Sequence, residues 1–331
     1  MNRFRSSSMA TSDRAAYEAM MQRRRERLLS GMVLSGLRGV EIGPLSRPVV
    51  RRHEAEVYYV DHCSADDLRE KYSGDHAHID GIEEVDFIWA EQPLVELIGR
   101  KAPLDFIVGA HVIEHVPDLC GWLKEMSDAL KIGGRLLLII PDKRFTFDIY
   151  RRLSSFEEVI QAWQERRRRP GLRLVMDHLA NVVTADTWKL WDDYALADHL
   201  HYYHGPEYLS LAAREHAEGK YIDVHCWVFT PWHFMHLMGR MVHEMGLNLG
   251  LRYFLTTQDH DLEFYVQLEK ATVLTTDWAQ EADAARRGAL WPRNMQDVPA
   301  DGVLRQISGS TTQANAAPEA VRAKRVRRFW W

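Results

Sequence analysis

Between residues 37 and 140, short apolar runs alternate with segments of helical spacing. Residues 37–42, 56–60, 85–89, 104–111 and 135–140 read as strands, being short and rich in Val, Ile, Leu, Phe and Tyr. Between the last two, Leu119, Trp122, Leu123, Met126 and Leu130 recur at helical spacing before Gly133-Gly134. Strand alternating with helix over so long a stretch prescribes a mostly parallel sheet covered on both faces, an α/β doubly wound fold.

A chain of 331 residues with 46% hydrophobic residues can bury a large core. Its net charge of -5 provides no general attraction for nucleic acid. Cys63, Cys120 and Cys226 are odd in number and widely spaced, which fits a reduced cytoplasmic protein. No apolar run approaches the ~20 residues that cross a bilayer, and residues 1–8 are expected to be a disordered leader without a secretory signal. Residues 12–34 are expected to form an amphipathic helix.

The first strand runs into Glu41-Ile42-Gly43-Pro44, where a glycine lets the chain turn sharply beside a flat ligand. A dinucleotide fingerprint needs three glycines at fixed spacing, and this loop has only Gly43. A nicotinamide-dependent oxidoreductase is therefore disfavoured. The second strand ends in Asp61, whose carboxylate can accept from both hydroxyls of a ribose. The competing use of Asp61 is to cap a helix over residues 64–71.

Glu41-Ile42-Gly43, Asp61 and the block His111-Val112-Ile113-Glu114-His115-Val116-Pro117-Asp118 together resemble the class I S-adenosylmethionine-dependent methyltransferases. The resemblance covers residues 32–142, and by topology 230–270. It implies a Rossmann-like, seven-stranded sheet closed by an antiparallel hairpin, with S-adenosyl-L-methionine as cofactor. It places Glu41 near the methionine ammonium and wraps the backbone of Ile42, Gly43 and Pro44 around the methionine part. It puts Asp61 on the ribose, Trp89 beside the adenine, and Ala110 and His111 beside the methionine moiety. Leu45, Arg47 and Pro48 stand where the family's later loop glycines usually are.

His111 and His115 are four residues apart, as in a zinc-binding helix, but Pro117 keeps this stretch from being a helix interior. No metal is expected there, and Glu114 and His115 are read as anchors of the turn. Residues 143–226 are too long for a simple connection and are expected to form a mainly helical insertion serving as a substrate lid. Its mixture of polar and aromatic residues suits a hydroxylated small molecule or glycan, with Lys143, Arg144, Asp148 and Tyr203 as candidate acceptor-binding residues. His199, His201 and His204 admit three readings: a metal site, a general base or packed polar residues. His201 or His204 is the candidate base for O-methylation. His178 and His225 are further metal candidates that sequence cannot bring together. Two rival functions stay open: a non-catalytic S-adenosylmethionine-binding regulatory or partner protein, and a metal-dependent hydrolase built on His199, His201 and His204.

Thr230-Pro231 opens a helix with Phe234, Met238, Met241 and Met245 on one face, ending at Gly246, and strands follow over 251–257 and 263–269. Beyond residue 275 the chain turns polar and ends in a basic run leading to Phe329-Trp330-Trp331, which suits weak contact with an anionic membrane surface or docking on the protein itself. The expected organisation is an N-terminal leader and helix (1–30), a cofactor-binding core (31–142 and 227–275), the inserted lid (143–226) and a C-terminal extension (276–331).

Overall fold

A computed structural model describes residues 11–73 and 81–295. Seven strands form one sheet: β1 (Arg38–Ile42), β2 (Glu56–Asp61), β3 (Phe87–Ile88), β4 (Leu104–Ala110), β5 (Leu130–Pro141), β6 (Leu249–Leu255) and β7 (Glu263–Lys270). Their order is β3-β2-β1-β4-β5-β7-β6, and β7 alone runs antiparallel to its neighbours. The order reverses between β1 and β4, so the chain leaves the carboxyl ends of these strands in opposite directions and opens a crevice there. The α/β doubly wound architecture with its closing hairpin is as expected.

Residues alternate strictly between the two faces. On β5, Leu136, Leu138 and Ile140 enter the larger core, while Leu137 and Ile139 enter the smaller one beneath α1 (Thr11–Leu28). Between the strands lie α2 (Ala65–Lys71), α3 (Leu94–Ile98) and α4 (Leu119–Ala129); α9 (Pro231–Met245) precedes the hairpin. The segment after β5 carries α5 (Phe156–Gln164), α6 (Leu172–Asn181), α7 (Thr187–Asp192) and α8 (Pro206–Ala217). Phe156, Val159, Leu174, Val175, Leu179 and Ala212 of this insertion share the larger core with α4 and α9. A smaller cluster of Ile149, Val183, Leu190 and Ala197 binds the rest of it together.

Four local expectations are corrected. α1 stops at Leu28, with Gly31 turning the chain at φ 69°. Gly133 and Gly134 lie within β5 instead of before it: Gly133 is left-handed at φ 80°, and the β4–β5 register slips between Leu104 and Phe106. Thr230 occupies the cap position of α9 without making a side-chain cap. The polar stretch after residue 275 includes a helix, α10 (Trp278–Arg287), which Asp277 caps by accepting from Gln280 N. It packs on α9 where Gly239 leaves room, since a Cβ there would lie 2.7 Å from Trp278 Cβ.

All three cysteines are free. Among the described residues no helix is long and apolar enough to cross a membrane. The leader before residue 11 and the basic aromatic tail lie outside the described residues.

Candidate active site

The crevice is built from the turns that follow β1, β2 and β4. After β1 the chain reverses at Gly43 (φ 64°), whose N–H donates to Val60 O on β2 at 2.9 Å, and Leu45 takes φ 49°. A leucine in the left-handed region carries strain that glycine would not. Leu45 accepts this position while packing against the small cluster of Ala65, Leu68 and Ile82. Glu41 is buried, with Oε1 accepting from Val49 N at 2.7 Å and Oε2 from Val50 N at 2.9 Å. Burial outweighs these two bonds and nearby Arg24 and Arg25, pushing its carboxyl up to about 7. Glu41 therefore shapes the loop from inside; its carboxylate is committed to the loop backbone and not to the ammonium proposed from sequence.

Asp61 ends β2 in a buried position. Its Oδ1 accepts from His62 N at 2.7 Å and lies 2.6 Å from His62 Nδ1, while Oδ2 is buried without a hydrogen-bond partner. The helix cap is instead Ser64, in a capping box with Asp67. Trp89 N donates to the Asp61 main-chain O at 2.7 Å, and the half-buried Trp89 ring donates from Nε1 to Gln92 O at 2.9 Å. Arg168 of the insertion reaches this edge, donating to Glu91 O at 2.8 Å.

At the end of β4, Ala110 is followed by His111 at φ 55°, whose Nε2 is 2.6 Å from Glu263 Oε2 on β7. Burial lowers the affinity of His111 for its proton, but Glu114 and Glu263 overcome this and raise it to about 9. The turn that follows is not helical, in keeping with Pro117, and it buries Glu114 completely and His115 in large part. Segment 223–229 crosses beneath: Cys226 N and Trp227 N both donate to Glu114 O, at 2.6 and 3.1 Å, and Trp227 Nε1 donates to Val116 O at 2.6 Å. This stitching brings together imidazoles far apart in the chain. His115 and His225 meet edge to face with ring centroids 4.7 Å apart, and His178 lies 5.7 Å from His225.

Carboxylates surround them. Asp223 Oδ1 is 2.9 Å from His115 Nδ1, and Asp148 Oδ2 is 2.5 Å from His225 Nδ1. Asp148 also takes Arg151 at 2.7 Å, and Arg151 bridges onward to Asp177 at 2.9 Å. Burial raises the cost of charging Asp148, yet His225 and Arg151 hold it far below the carboxylate range. His178 is driven well below its usual value by burial and by Arg151; its Nδ1 accepts from His225 N at 3.3 Å, so it is neutral. Glu114 is buried; neither carboxylate oxygen makes a regular hydrogen bond, and His111 Nδ1 forms an ion pair with Oε1 at 3.3 Å.

Of the insertion residues chosen from sequence, Asp148 joins this cluster and the others fall elsewhere. Arg144 is fully buried, its guanidinium paired with Asp142 at 2.6 Å, donating to Leu290 O at 2.9 Å and stacked among Phe145, Trp232 and Trp291. It is corrected to a core residue, because its guanidinium is fully buried and committed to Asp142 and Leu290 O, out of reach of an acceptor molecule. Lys143 is likewise buried, its Nζ donating to Ile149 O at 2.8 Å, and burial brings it down to about 8. Tyr203 is exposed. His201 is exposed, with its carbonyl accepting from Thr184 N at 2.8 Å, and His204 stacks on Tyr208 at 4.3 Å. The histidines that converge at metal-ligand distance among the described residues are His115 and His225, with Glu114, in place of His199, His201 and His204.

The sequence profile of a methyltransferase domain matches residues 16–215, more than half of the chain. The chain belongs to this methyltransferase family. Its cofactor is S-adenosyl-L-methionine, as the resemblance implied. Among solved structures the methyltransferase is similar to an S-adenosylmethionine dependent methyltransferase from Mesorhizobium loti (14% identity, 75% of this chain and 96% of that one, TM-score 0.37). It is similar also to magnesium protoporphyrin IX methyltransferase from Synechocystis PCC 6803 with bound SAH (12% identity, 81% and 91%, TM-score 0.34). A third is the CurJ carbon methyltransferase (11% identity, 74% of this chain, TM-score 0.34), of whose length this chain spans about half, 51%. No curated protein sequence matches it.

The residues fit the cofactor on one structural test. The buried Asp61 Oδ2 has no hydrogen-bond donor and could accept from a ribose hydroxyl. The signal that could have located the second half of the methyltransferase site was present but silent. His225 lies in a segment without helical or strand periodicity, so nothing local shows which way it points.

Proposed function

We propose that this methyltransferase methylates the oxygen of a hydroxylated small molecule or glycan, in the cytoplasm. The observation that carries this reading is the imidazole and carboxylate cluster of His115, His178, His225, Asp148 and Asp223, assembled against the turn that leaves β4. A carbon or amine acceptor that is already nucleophilic needs little help in losing a proton, whereas a hydroxyl does, and buried imidazoles backed by carboxylates are suited to give it.

S-adenosyl-L-methionine supplies, when bound, a methyl group on a sulfonium that leaves as a neutral thioether. Asp61 would hold the ribose, Trp89 would border the adenine, and the turn at Ile42, Gly43 and Pro44 would enclose the methionine part with Ala110 and His111. Glu41 acts by fixing that turn through Val49 and Val50. The acceptor oxygen is aligned by the cluster beyond β4, where its proton is drawn off as the oxygen–carbon bond forms and the carbon–sulfur bond breaks. The insertion, anchored to the adenine edge through Arg168, excludes water from this space.

The test is a screen of polyols, phenols and sugars against the purified enzyme with S-adenosylmethionine, reading S-adenosylhomocysteine release. Release that requires an acceptor hydroxyl and is lost in His225→Ala supports the reading. Turnover only with amine or carbon acceptors sinks it.

A further inference from the structure

We propose that Glu114, His115 and His225 form a binding site for a divalent transition cation. The site goes beyond the proposed O-methylation, and its location beside the methyl-transfer crevice rests on that reading.

Three observations converge. First, Glu114, His115 and His225 each place one ligand-type atom within 4.8 Å of the others, Glu114 and His225 buried and the His115 side chain 11% exposed. They come from the turn after β4 and from the segment before α9, more than 100 positions apart, and are locked together by the paired donations of Cys226 N and Trp227 N to Glu114 O. Second, the Glu114 carboxylate is completely buried and neither oxygen makes a regular hydrogen bond, its ion-pair neighbour being His111 Nδ1 at 3.3 Å from Oε1, so Oε2 is left without a partner. A carboxylate withdrawn from water and left unsatisfied is costly, and a cation supplies the missing partner. Third, each histidine is held at Nδ1 by its own carboxylate, His115 by Asp223 at 2.9 Å and His225 by Asp148 at 2.5 Å. Histidines that ligate a metal characteristically donate their other ring N–H to a carboxylate, which fixes ring orientation and raises ligand basicity.

Two imidazoles and one carboxylate suit Zn²⁺ or Mn²⁺ better than Mg²⁺, which prefers oxygen donors throughout. Three protein ligands leave coordination positions for water or an acceptor oxygen, the pattern of an open site and not of a closed structural one. The site stands directly after Ala110 and His111, where the family resemblance puts the methionine moiety. A cation there would hold the acceptor oxygen close to the transferred methyl group and ease loss of its proton, taking over from His115 and His225, whose free nitrogens it would occupy. The sequence offered His199, His201 and His204 as one reading of a metal site, with His178 and His225 as further candidates; of these the cation proposed here takes only His225.

The experiment is equilibrium dialysis of the full chain, stripped with a chelator, against Mn²⁺ and separately Zn²⁺, without cofactor or acceptor. The same samples are titrated with S-adenosylhomocysteine. Wild-type protein should bind close to one ion per chain, and Glu114→Gln and His225→Asn should each weaken binding at least tenfold, while His201→Ala leaves it unchanged. Substitution of wild type with Co²⁺ should give visible d–d bands and paramagnetically shifted imidazole N–H resonances, a readout that needs no variant to fold. Substoichiometric binding by wild type, Co²⁺ spectra without imidazole signals, or binding lost in His201→Ala instead would overturn the site. Failure of ion binding with intact S-adenosylhomocysteine binding removes only the cation; failure of S-adenosylhomocysteine binding by folded wild type removes the methyltransferase reading itself.

Discussion

His225 Nδ1 lies 2.5 Å from Asp148 Oδ2, although the two residues are 77 positions apart. This bond ties the segment entering α9 to the start of the insertion, and Asp148 extends it through Arg151 to Asp177. The network is almost fully buried, so it behaves as one unit and its members cannot be removed singly without leaving a charge unpaired.

Asp148→Asn keeps the shape of the side chain and removes the charge shared by Arg151 and His225. Breaking a buried pair in this way costs about 3 to 5 kcal/mol. Urea unfolding should show a loss of that size, and a change below about 0.5 kcal/mol would mean that the network contributes nothing to stability.

Asp61→Asn replaces an acceptor oxygen with a donor at the end of β2. Hydrogen bonds to a charged group are worth about 1.5 to 3 kcal/mol, so S-adenosylhomocysteine affinity should fall by roughly 10- to 150-fold. Calorimetric titration measures this, and the melting temperature of the free protein should hardly move. Unchanged affinity would dissociate Asp61 from the ribose.

Glu41 gives a pH signature. Its carboxyl is raised to about 7 from an ordinary 4.5, mainly by burial. Its contribution to stability is therefore fully present below about pH 4.5 and is lost as the pH rises through 7, the carboxylate being costly to bury. Compared with Glu41→Gln, which does not titrate, wild type should lose on the order of 3 kcal/mol of its relative stability across this window. Paired urea titrations at several pH values report the difference directly, and a relative stability that rises with pH contradicts the assignment.

Gly39 faces Phe106 across the β1–β4 pairing, and a Cβ at Gly39 would lie 2.5 Å from Phe106 Cζ. Gly39→Ala therefore overpacks the sheet and should cost about 1 to 3 kcal/mol. Phe106→Leu in the same chain should restore part of that loss even though it is destabilising alone. Strict additivity of the two substitutions would show that the ring is not the obstacle.

The sequence by itself determined the sheet. Runs such as Leu136 to Ile140 are apolar on both faces, and only a strand covered by helices on either side buries them all. Asp61 at the end of β2, the long helix opening at Pro231 and the two last strands were legible from local spacing, whereas the pairing of those strands as a closing antiparallel hairpin came from the family resemblance. Helix α10 was missed because its apolar face is only Trp278, Ala282 and Ala285, too slight a stripe to stand out in a polar stretch. Tertiary structure alone decided which charged residues face the crevice. Arg144 looks like a free cation in sequence and becomes a core residue once Asp142, Trp232 and Trp291 close around it. His115, His178 and His225 carry no common spacing, yet loop 223–229 folds beneath the turn after β4 and makes them neighbours. Periodicity records what a segment buries, whereas the meeting of distant side chains depends on the path of loops whose own residues repeat nothing.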